Sequence, residues 1–486
     1  MRPRLFERSD PMAPVGTPDA GLKRALGPLS LTFIGVSNAV GAGIFILTGT
    51  AAANYAGPAI SLSYLLAGLV CFLTALCYGE LTAMLPESGG SYSYARSTLG
   101  WAPAWMIGWC MVLEYGVAGA TVAVGWSGYA VELLSQIGVI LPASLTSSPL
   151  AVADDGRLVA SGALINLPAA AVVAVCAAVL TRGIEGSNAF NVAMVGVKVA
   201  VILLVVVAGA MFVDVANWTP FIPPNEGEFG RFGVSGIFTA AAIAFFSYTG
   251  FEALSTSARE ARNPARDMPV AMIAALLVCA ALYISMALVM TGLAPYRDLD
   301  VAAPVIVALR SAGGALDWLV PVIAVGTVVG LASAVLISLY GQTRVLYAMA
   351  ERGDMPRAFG RLNAATRAPA RGGLIVGTAC SLLAALFPLS LLGELVSMGC
   401  LIAFASVCAS VLLLRRSHPD LPRPFRIPAG SLVAASGMLS CIALMLSLPA
   451  ATWRAVGVWI LIGLGLMTWR YLTLDASAPN GTQEVT

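Results

Sequence analysis

Ala39-Val40-Gly41-Ala42-Gly43-Ile44-Phe45 and Phe245-Phe246-Ser247-Tyr248-Thr249-Gly250-Phe251-Glu252 are the two stretches on which the fold turns. Each lies near the middle of a long apolar run, where a helix crossing a bilayer has little use for glycines, hydroxyls or a carboxylate. Glycine costs about 1 kcal/mol against alanine inside a helix, although close packing in membranes also selects it. Alone, the first stretch reads equally as a helix–helix contact. Together the two predict helices interrupted at membrane depth. Irregular backbone is tolerated there only where it lines a cavity or is buried in protein.

The surrounding chain places both stretches in a bilayer. Its 486 residues are 58% apolar and 11% charged, with a mean hydropathy of +0.86. An ordinary soluble domain carries roughly 25% charged residues. The net charge of +2 recruits no polyanion, so nucleic acid is not an expected partner. A single histidine, His418, excludes multi-histidine metal sites and histidine-based triads. The nine cysteines lie in apolar stretches without a CxxC pair and read as buried free thiols. No metal and no cofactor is expected.

From Arg24 to Glu80 the chain runs without a charge, interrupted once by Gly57-Pro58. This predicts two spans, roughly 27–55 and 58–85. The same test gives further spans near 101–134, 160–181, 187–213, 233–258, 268–293, 317–350, 373–389, 391–414, 428–448 and 453–472. With the N-terminus inside, 21 basic residues fall on the cytoplasmic side, five on the other, and Lys198 remains within a span. That asymmetry predicts an even number of spans with both termini cytoplasmic. The charged, Pro-broken start at 1–25 reads as a cytoplasmic tail rather than a cleaved signal.

The two interrupted spans are the first and the sixth. Because five is odd, the second set of five would be inverted relative to the first. Paired broken helices in two inverted halves point to a transporter's substrate site. Half-helix N-termini offer N–H groups to a carboxylate and half-helix C-termini offer carbonyls to an ammonium. A site with both suits an α-amino acid.

Longer motifs carry a resemblance. The runs GVSNAVGAGIFILTGTAAANYAGPAISLSYLLAG, ALCYGELTAMLPESGGSYSYA, GWCMVLEYGVAGATVAVGWSGYA, FFSYTGFEALSTSAREARNPARDMPVA and YGQTRVLYAMAERGDMP resemble the amino acid–polyamine–organocation superfamily. Within it, the sequence is most similar to bacterial homologues of the cationic amino acid transporters. The resemblance implies an all-α polytopic fold: a five-plus-five inverted repeat with broken helices 1 and 6, then two further helices. The expected division is a tail at 1–25, a first repeat at 26–213, an outer loop at 214–232, a second repeat at 233–415, helices 11 and 12 at 416–474, and a tail at 475–486.

Lys198, in NVAMVGVKVAVILLVVV, is one of two lysines against 25 arginines. An ionisable group at the bilayer centre costs at least ~2.5 kcal/mol and marks a functional position by default. By resemblance it occupies the place of a sodium ion in sodium-coupled relatives, its ammonium following the proton gradient. The expected contacts are carbonyls around Ala39 and Val40 and the hydroxyl of Ser333, or of nearby Ser338 in the other register. The competing reading is a structural ion pair with Glu114. Glu114, in LEYG, is expected as a gate or charge partner beside the substrate, or as a buried packing carboxylate. Glu252 stands where the family usually has aspartate, and either contacts a substrate side chain or stabilises the break. Phe246 is placed to close over substrate or simply to pack.

The expected substrate groups are therefore Ala39, Val40, Gly41, Ala42, Gly43, Glu114, Phe246, Ser247, Gly250 and Glu252, with Lys198 and Ser333 for proton coupling. Ala258-Arg259-Glu260 departs from the family's two consecutive acids, which bears on an inner gate. Glu80 reads as a cytoplasmic gate or loop anchor, and the His418 loop as solvated charge that sets topology. The resulting expectation is a proton-coupled symporter of amino acids, broad or cationic in preference. It works by alternating access in the inner (plasma) membrane, without covalent chemistry. The alternative is an exchanger or uniporter in which Lys198 is a fixed structural charge. A channel would show a repeated filter segment, and a hydrolase would need facing catalytic groups.

Overall fold

The computed structural model describes residues 26–85, 90–153, 157–182, 188–252, 254–255, 261–361 and 369–476. The tail at 1–25, most of the C-terminal tail and the Ala258-Arg259-Glu260 departure lie outside these residues. The first span is broken. It consists of α1 (Pro28–Ala39), then a widened helical run over 43–56 in which α2 (Thr48–Ala51) is flanked by π-turns. A tight turn at Gly57-Pro58 leads to α3 (Ile60–Met84), followed by the short α4 (Gly90–Thr98) and the long α5 (Trp101–Gln136).

The fourth span starts later than its hydropathy suggests. Its expected first residue, Ala160, instead closes a small antiparallel hairpin, β1 (Leu150–Val152) with β2 (Leu158–Ala160). The helix α6 (Leu167–Thr181) then begins where Asn166 caps it, the Asn166 carboxamide oxygen accepting from Ala169 N–H at 3.2 Å. The fifth span is α7 (Asn188–Gly209), and α8 (Gly233–Ala244) is the first half of the sixth. Then follow α9 (Pro264–Leu293), the short α10 (Pro304–Arg310), α11 (Val320–Glu351) and the one-turn α12 (Arg357–Gly360). The chain ends through α13 (Ala370–Leu386), α14 (Leu389–Ser417), α15 (Gly430–Ser447) and α16 (Ala450–Ala476).

Eight helical stretches are long and apolar enough to cross a membrane, and three shorter apolar helices accompany them among the described residues. The stretch Gly43–Met84 folds back at Gly57-Pro58, so it holds the end of the first span and all of the second. The protein is thus an all-α polytopic membrane protein of about twelve spans, broken in the first and sixth. The middle of the bundle is formed by α5 against α11 and α14, and by α3 against α9, with α1 also on α9. The last helix, α16, keeps much of its surface outward: Leu461, Trp469 and Leu472 are each more than half exposed, as lipid contact requires.

Two buried carboxylates fasten the loops at one end of the bundle. Glu80 on α3 receives Arg415 Nε at 2.9 Å and Nη2 at 2.5 Å, the Ile427 amide at 3.0 Å, and lies 3.6 Å from Arg423 Nε. It is a loop anchor, one of the two roles its position suggests. Asp354, after α11, accepts from the Trp101 indole at 2.8 Å and from the Tyr92 hydroxyl, while its carbonyl takes the Trp105 indole at 3.1 Å. Removing one partner of a buried, hydrogen-bonded ion pair costs about 3–5 kcal/mol. Glu80→Ala is therefore expected to lower the melting temperature of the detergent-solubilised protein by several degrees, with Glu80→Gln in between. A thermal melt followed by size-exclusion recovery checks this, and an unchanged melt would remove Glu80 from the account of stability.

Candidate functional site

The break in the first span is a matter of backbone bonds. Val40 N–H closes the last turn of α1 on the Val36 carbonyl at 2.9 Å, and Val40 is extended with ψ of 100°. The carbonyls that follow in α1, from Ser37 on, lose their partners four residues ahead. The second half begins at Gly43 with a π-turn through Leu47, its first amides directed back at the gap. Sequence explains the interruption: Gly41 and Gly43 weaken the helix, and no side chain of theirs fills the space it opens.

The sixth span breaks differently. Its helix tightens into a 3-10 turn at Phe245–Tyr248, then Thr249 becomes extended (ψ 147°) and Gly250 takes φ of +109°. Glu252 holds this turn in place, its Oε2 accepting from the Gly250 amide at 2.6 Å. The two breaks touch. A Cβ on Gly43 would meet Ser247 Oγ at 2.2 Å, and one on Gly250 would meet the Asn38 carbonyl carbon at 2.6 Å.

Between the breaks and the facing sides of α5 and α11 lies a small cavity of about 60 Å³, below the ~300–1,000 Å³ range of small-molecule sites, so a substrate enters only as the breaks widen. Of the residues expected at the substrate, Ala39, Gly41, Ala42, Gly43, Glu114, Phe246, Gly250 and Glu252 line it. Val40, Ser247 and Ser333 are not among its lining. Val40 is fully buried in the core. Ser247 Oγ instead meets the Tyr64 hydroxyl at 3.2 Å, because the 3-10 turn swings it towards α3. Ser333 Oγ donates to the Gly330 carbonyl of its own helix at 2.7 Å. Ser338, the neighbour whose register competed with it, does line the cavity.

Sequence reasoning passed over Asn38, Tyr115 and Thr249, all of which line the cavity. Each is a polar residue next to, or one turn from, a position that was singled out, and that adjacency was the available signal. Glu114 and Glu252 face each other with Tyr115 beside them, and the Cys400 thiol lies against Glu114. One oxygen of Glu252 is committed to the backbone turn. The other, Oε1, is buried without a hydrogen-bond partner among the described residues. The wall between α5 and α11 is apolar and small, formed by Ala118, Val122, Ala334 and Ile337.

Lys198 is 2% exposed, and its ammonium donates to the Ser37 carbonyl at 3.3 Å. The acceptor is thus a carbonyl freed by the break, two residues before the expected Ala39. Its aliphatic stem passes Gly330 so closely that a Cβ there would lie 2.9 Å from Lys198 Cγ. Among the described residues, no carboxylate stands within ion-pair distance of Lys198, so an ion pair with Glu114 is not formed. The lysine joins the fifth span to the broken first span directly behind the cavity.

Comparisons with known proteins agree with this geometry. Residues 26–469 match the family described as amino acid permease. The methylthioribose transporter of Bacillus subtilis (strain 168) is 39% identical over 442 residues, covering 91% of this chain and 92% of that protein. The branched-chain amino acid permease BcaP of the same organism is 39% identical over 447 residues, covering 92% of each. Cationic amino acid transporter 2, vacuolar, of Arabidopsis thaliana is 36% identical over 400 residues, 82% of this chain and 61% of that protein. Helices broken at one cavity, and relatives matched almost end to end, lead to one conclusion: the chain belongs to the amino acid permease family of the amino acid–polyamine–organocation superfamily, whose members are transporters.

Proposed function

We propose that this protein is a proton-coupled carrier of amino acids, working by alternating access about the cavity between its two broken helices. The observation that carries the reading is the pairing of opposite helix ends at one cavity. Amides at the start of the 43–56 run suit a carboxylate, and the carbonyls of Asn38 and Ala39 suit an ammonium. Every α-amino acid has both groups. Ala39, Gly41, Ala42, Gly43 and Gly250 take the main-chain end of the substrate, and Phe246 packs over it. The side chain then extends along Ala118, Val122, Ala334 and Ile337 towards Glu114 and Glu252.

That subsite has an apolar wall and an acidic end. It accepts small neutral or branched side chains on the wall and a cationic tip at the carboxylates, which supports a broad preference. The relatives are named for a branched-chain amino acid, a cationic amino acid and methylthioribose, and all three supply probes. In this reading the protein sits in the inner (plasma) membrane with both termini cytoplasmic, as the basic loops favour. One broken helix comes from each of the repeats at 26–213 and 233–415, and access alternates around that pair. Lys198 carries the coupling proton.

The experiment is counterflow: liposomes holding the purified protein are loaded with unlabelled alanine, leucine, arginine or methylthioribose, and entry of the labelled compound is followed. Accumulation of any amino acid supports the reading, whereas exchange of methylthioribose alone would overturn it. Glu114→Gln is expected to lower arginine exchange at least about 30-fold while sparing alanine. Truncating one partner of a buried charge contact costs roughly 2–5 kcal/mol. Equal losses for both substrates would take Glu114 out of side-chain recognition.

A further inference from the structure

Behind the meeting point of the two breaks stands a side chain that touches neither cavity nor lipid. Tyr64, on α3, is fully buried, and its hydroxyl lies 2.6 Å from Thr48 Oγ1, 3.2 Å from Ser247 Oγ and 3.2 Å from the Gly43 carbonyl. Thr48 belongs to the second half of the first span, and Ser247 to the turn that ends the first half of the sixth. One hydroxyl therefore bonds both broken helices at the point where each stops being regular.

We infer that Tyr64 is a positioning residue for the substrate site, a clasp that holds the 43–56 run and the 233–248 run together as one unit. This rests on the substrate reading above. A single proton relay can satisfy the group: Ser247 donates to Tyr64, Tyr64 to Thr48, and Thr48 to the Ile44 carbonyl at 2.8 Å. The clasp is doubled one turn along, where the Tyr248 hydroxyl donates to the Tyr64 carbonyl at 2.8 Å. The rings reinforce it, Tyr64, Tyr248 and Tyr283 packing with centroids 5.2–6.3 Å apart.

The consequence is local and directional. Gly43, whose amide and backbone border the cavity, is held 2.2 Å (from a would-be Cβ) off Ser247 Oγ by this arrangement. Phe246, the neighbour of Ser247, also borders the cavity. Loosening the clasp displaces the carboxylate-binding amides and the covering aromatic together, while leaving the lysine and the carboxylates where they are. The two runs shift as a pair on Tyr64 during transport, so one partner does not open without the other.

The test compares Tyr64→Phe with Tyr283→Phe. Tyr283 sits in the same ring cluster, but its hydroxyl has no hydrogen-bond partner among the described residues. Uptake kinetics are measured in liposomes with the best substrate from counterflow, together with thermal melts of each variant with and without it. Tyr64→Phe is expected to raise KM about 5- to 10-fold, the value of roughly one lost hydrogen bond, with the maximal rate within about twofold. The substrate-induced rise in melting temperature shrinks in parallel. Tyr283→Phe leaves KM unchanged. The pair Tyr64→Phe with Ser247→Ala is expected to be no worse than the weaker single variant, because both cut the same clasp.

A fall in the unliganded melting temperature with an unaltered KM would make Tyr64 merely structural and overturn the inference. So would additive effects of the two substitutions. If Tyr64→Phe does not fold, Thr48→Val reads the same bond from its other end, and an unaltered KM there counts equally against the clasp. Loss of all amino acid exchange in the native chain is a separate outcome, one that overturns the carrier reading itself.

Discussion

Alanine in place of Gly43 or Gly250 is expected to reduce amino acid uptake about 100-fold without removing the protein from the membrane. At Gly43 the added Cβ would stand 2.2 Å from Ser247 Oγ and 2.6 Å from its Cα, far inside van der Waals contact. Overpacking of this kind costs ~1–3 kcal/mol. It can be relieved only by moving the two broken helices apart, which spoils the cavity they share. Gly250 is tighter in another sense. It combines φ of +109° with a Cβ position 2.6 Å from the Asn38 carbonyl carbon, so an L side chain meets both strain and collision. The control lies in α16, where a Cβ on Gly457 or Gly465 would meet nothing within 4 Å. Alanine there is expected to be neutral or mildly stabilising. Uptake into vesicles at matched protein content checks all four. Normal transport by Gly43→Ala would mean that the contact between breaks is not where substrate is held.

Lys198→Ala is expected to abolish the response of uptake to a pH gradient while leaving exchange of substrate in place. An ammonium has three donors, and among the described residues its one acceptor is the Ser37 carbonyl at 3.3 Å, with no carboxylate in ion-pair distance. A charge so poorly compensated in a buried place is costly. That cost is tolerable when the charge is transient and tied to the conformation of the first helix. Because Lys198 binds a carbonyl freed by the break, a shift of α1 changes the lysine's partner, and a change of charge on the lysine changes how firmly α1 is held. That reciprocity is the physical content of coupling. Lys198→Arg, which keeps its charge at all pH values, is expected to lock the protein: gradient response lost, exchange slowed at least about tenfold. If Lys198→Ala behaves like the native chain, the lysine is a fixed structural charge, as the exchanger alternative holds.

Much of this arrangement was legible in the residues themselves. Glycines and hydroxyls inside charge-free runs located both breaks, because nothing else in those runs competes with helix formation. Lys198 was legible for the same reason, as a lone charge in the middle of an apolar span. Its partner was not: Ser37 is 161 positions away, and the relative depth of two helices in a bundle leaves no trace in either one. The same blindness to register misplaced the expected proton partner at Ser333, which bonds within its own helix, while Ser338 lines the cavity. The fourth span was expected from 160 rather than Leu167 because Ala163-Leu164-Ile165 is as apolar as a helix start, and hydropathy does not distinguish an apolar loop from a helix. Tyr64 carried no signal at all, since an aromatic in an apolar helix is ordinary packing until its hydroxyl is seen to reach Thr48 and Ser247. Asp354 was not singled out either, yet two tryptophans and a tyrosine enclose it.

The most direct measurement of the central claim is uptake of labelled alanine and arginine into liposomes with an imposed inside-alkaline pH gradient. It is run with and without sodium, for the native chain and Lys198→Ala. The account predicts uptake that the gradient drives and sodium does not affect, with the mutant exchanging substrate but ignoring the gradient. Native uptake that is indifferent to the gradient, or that requires sodium, would contradict it.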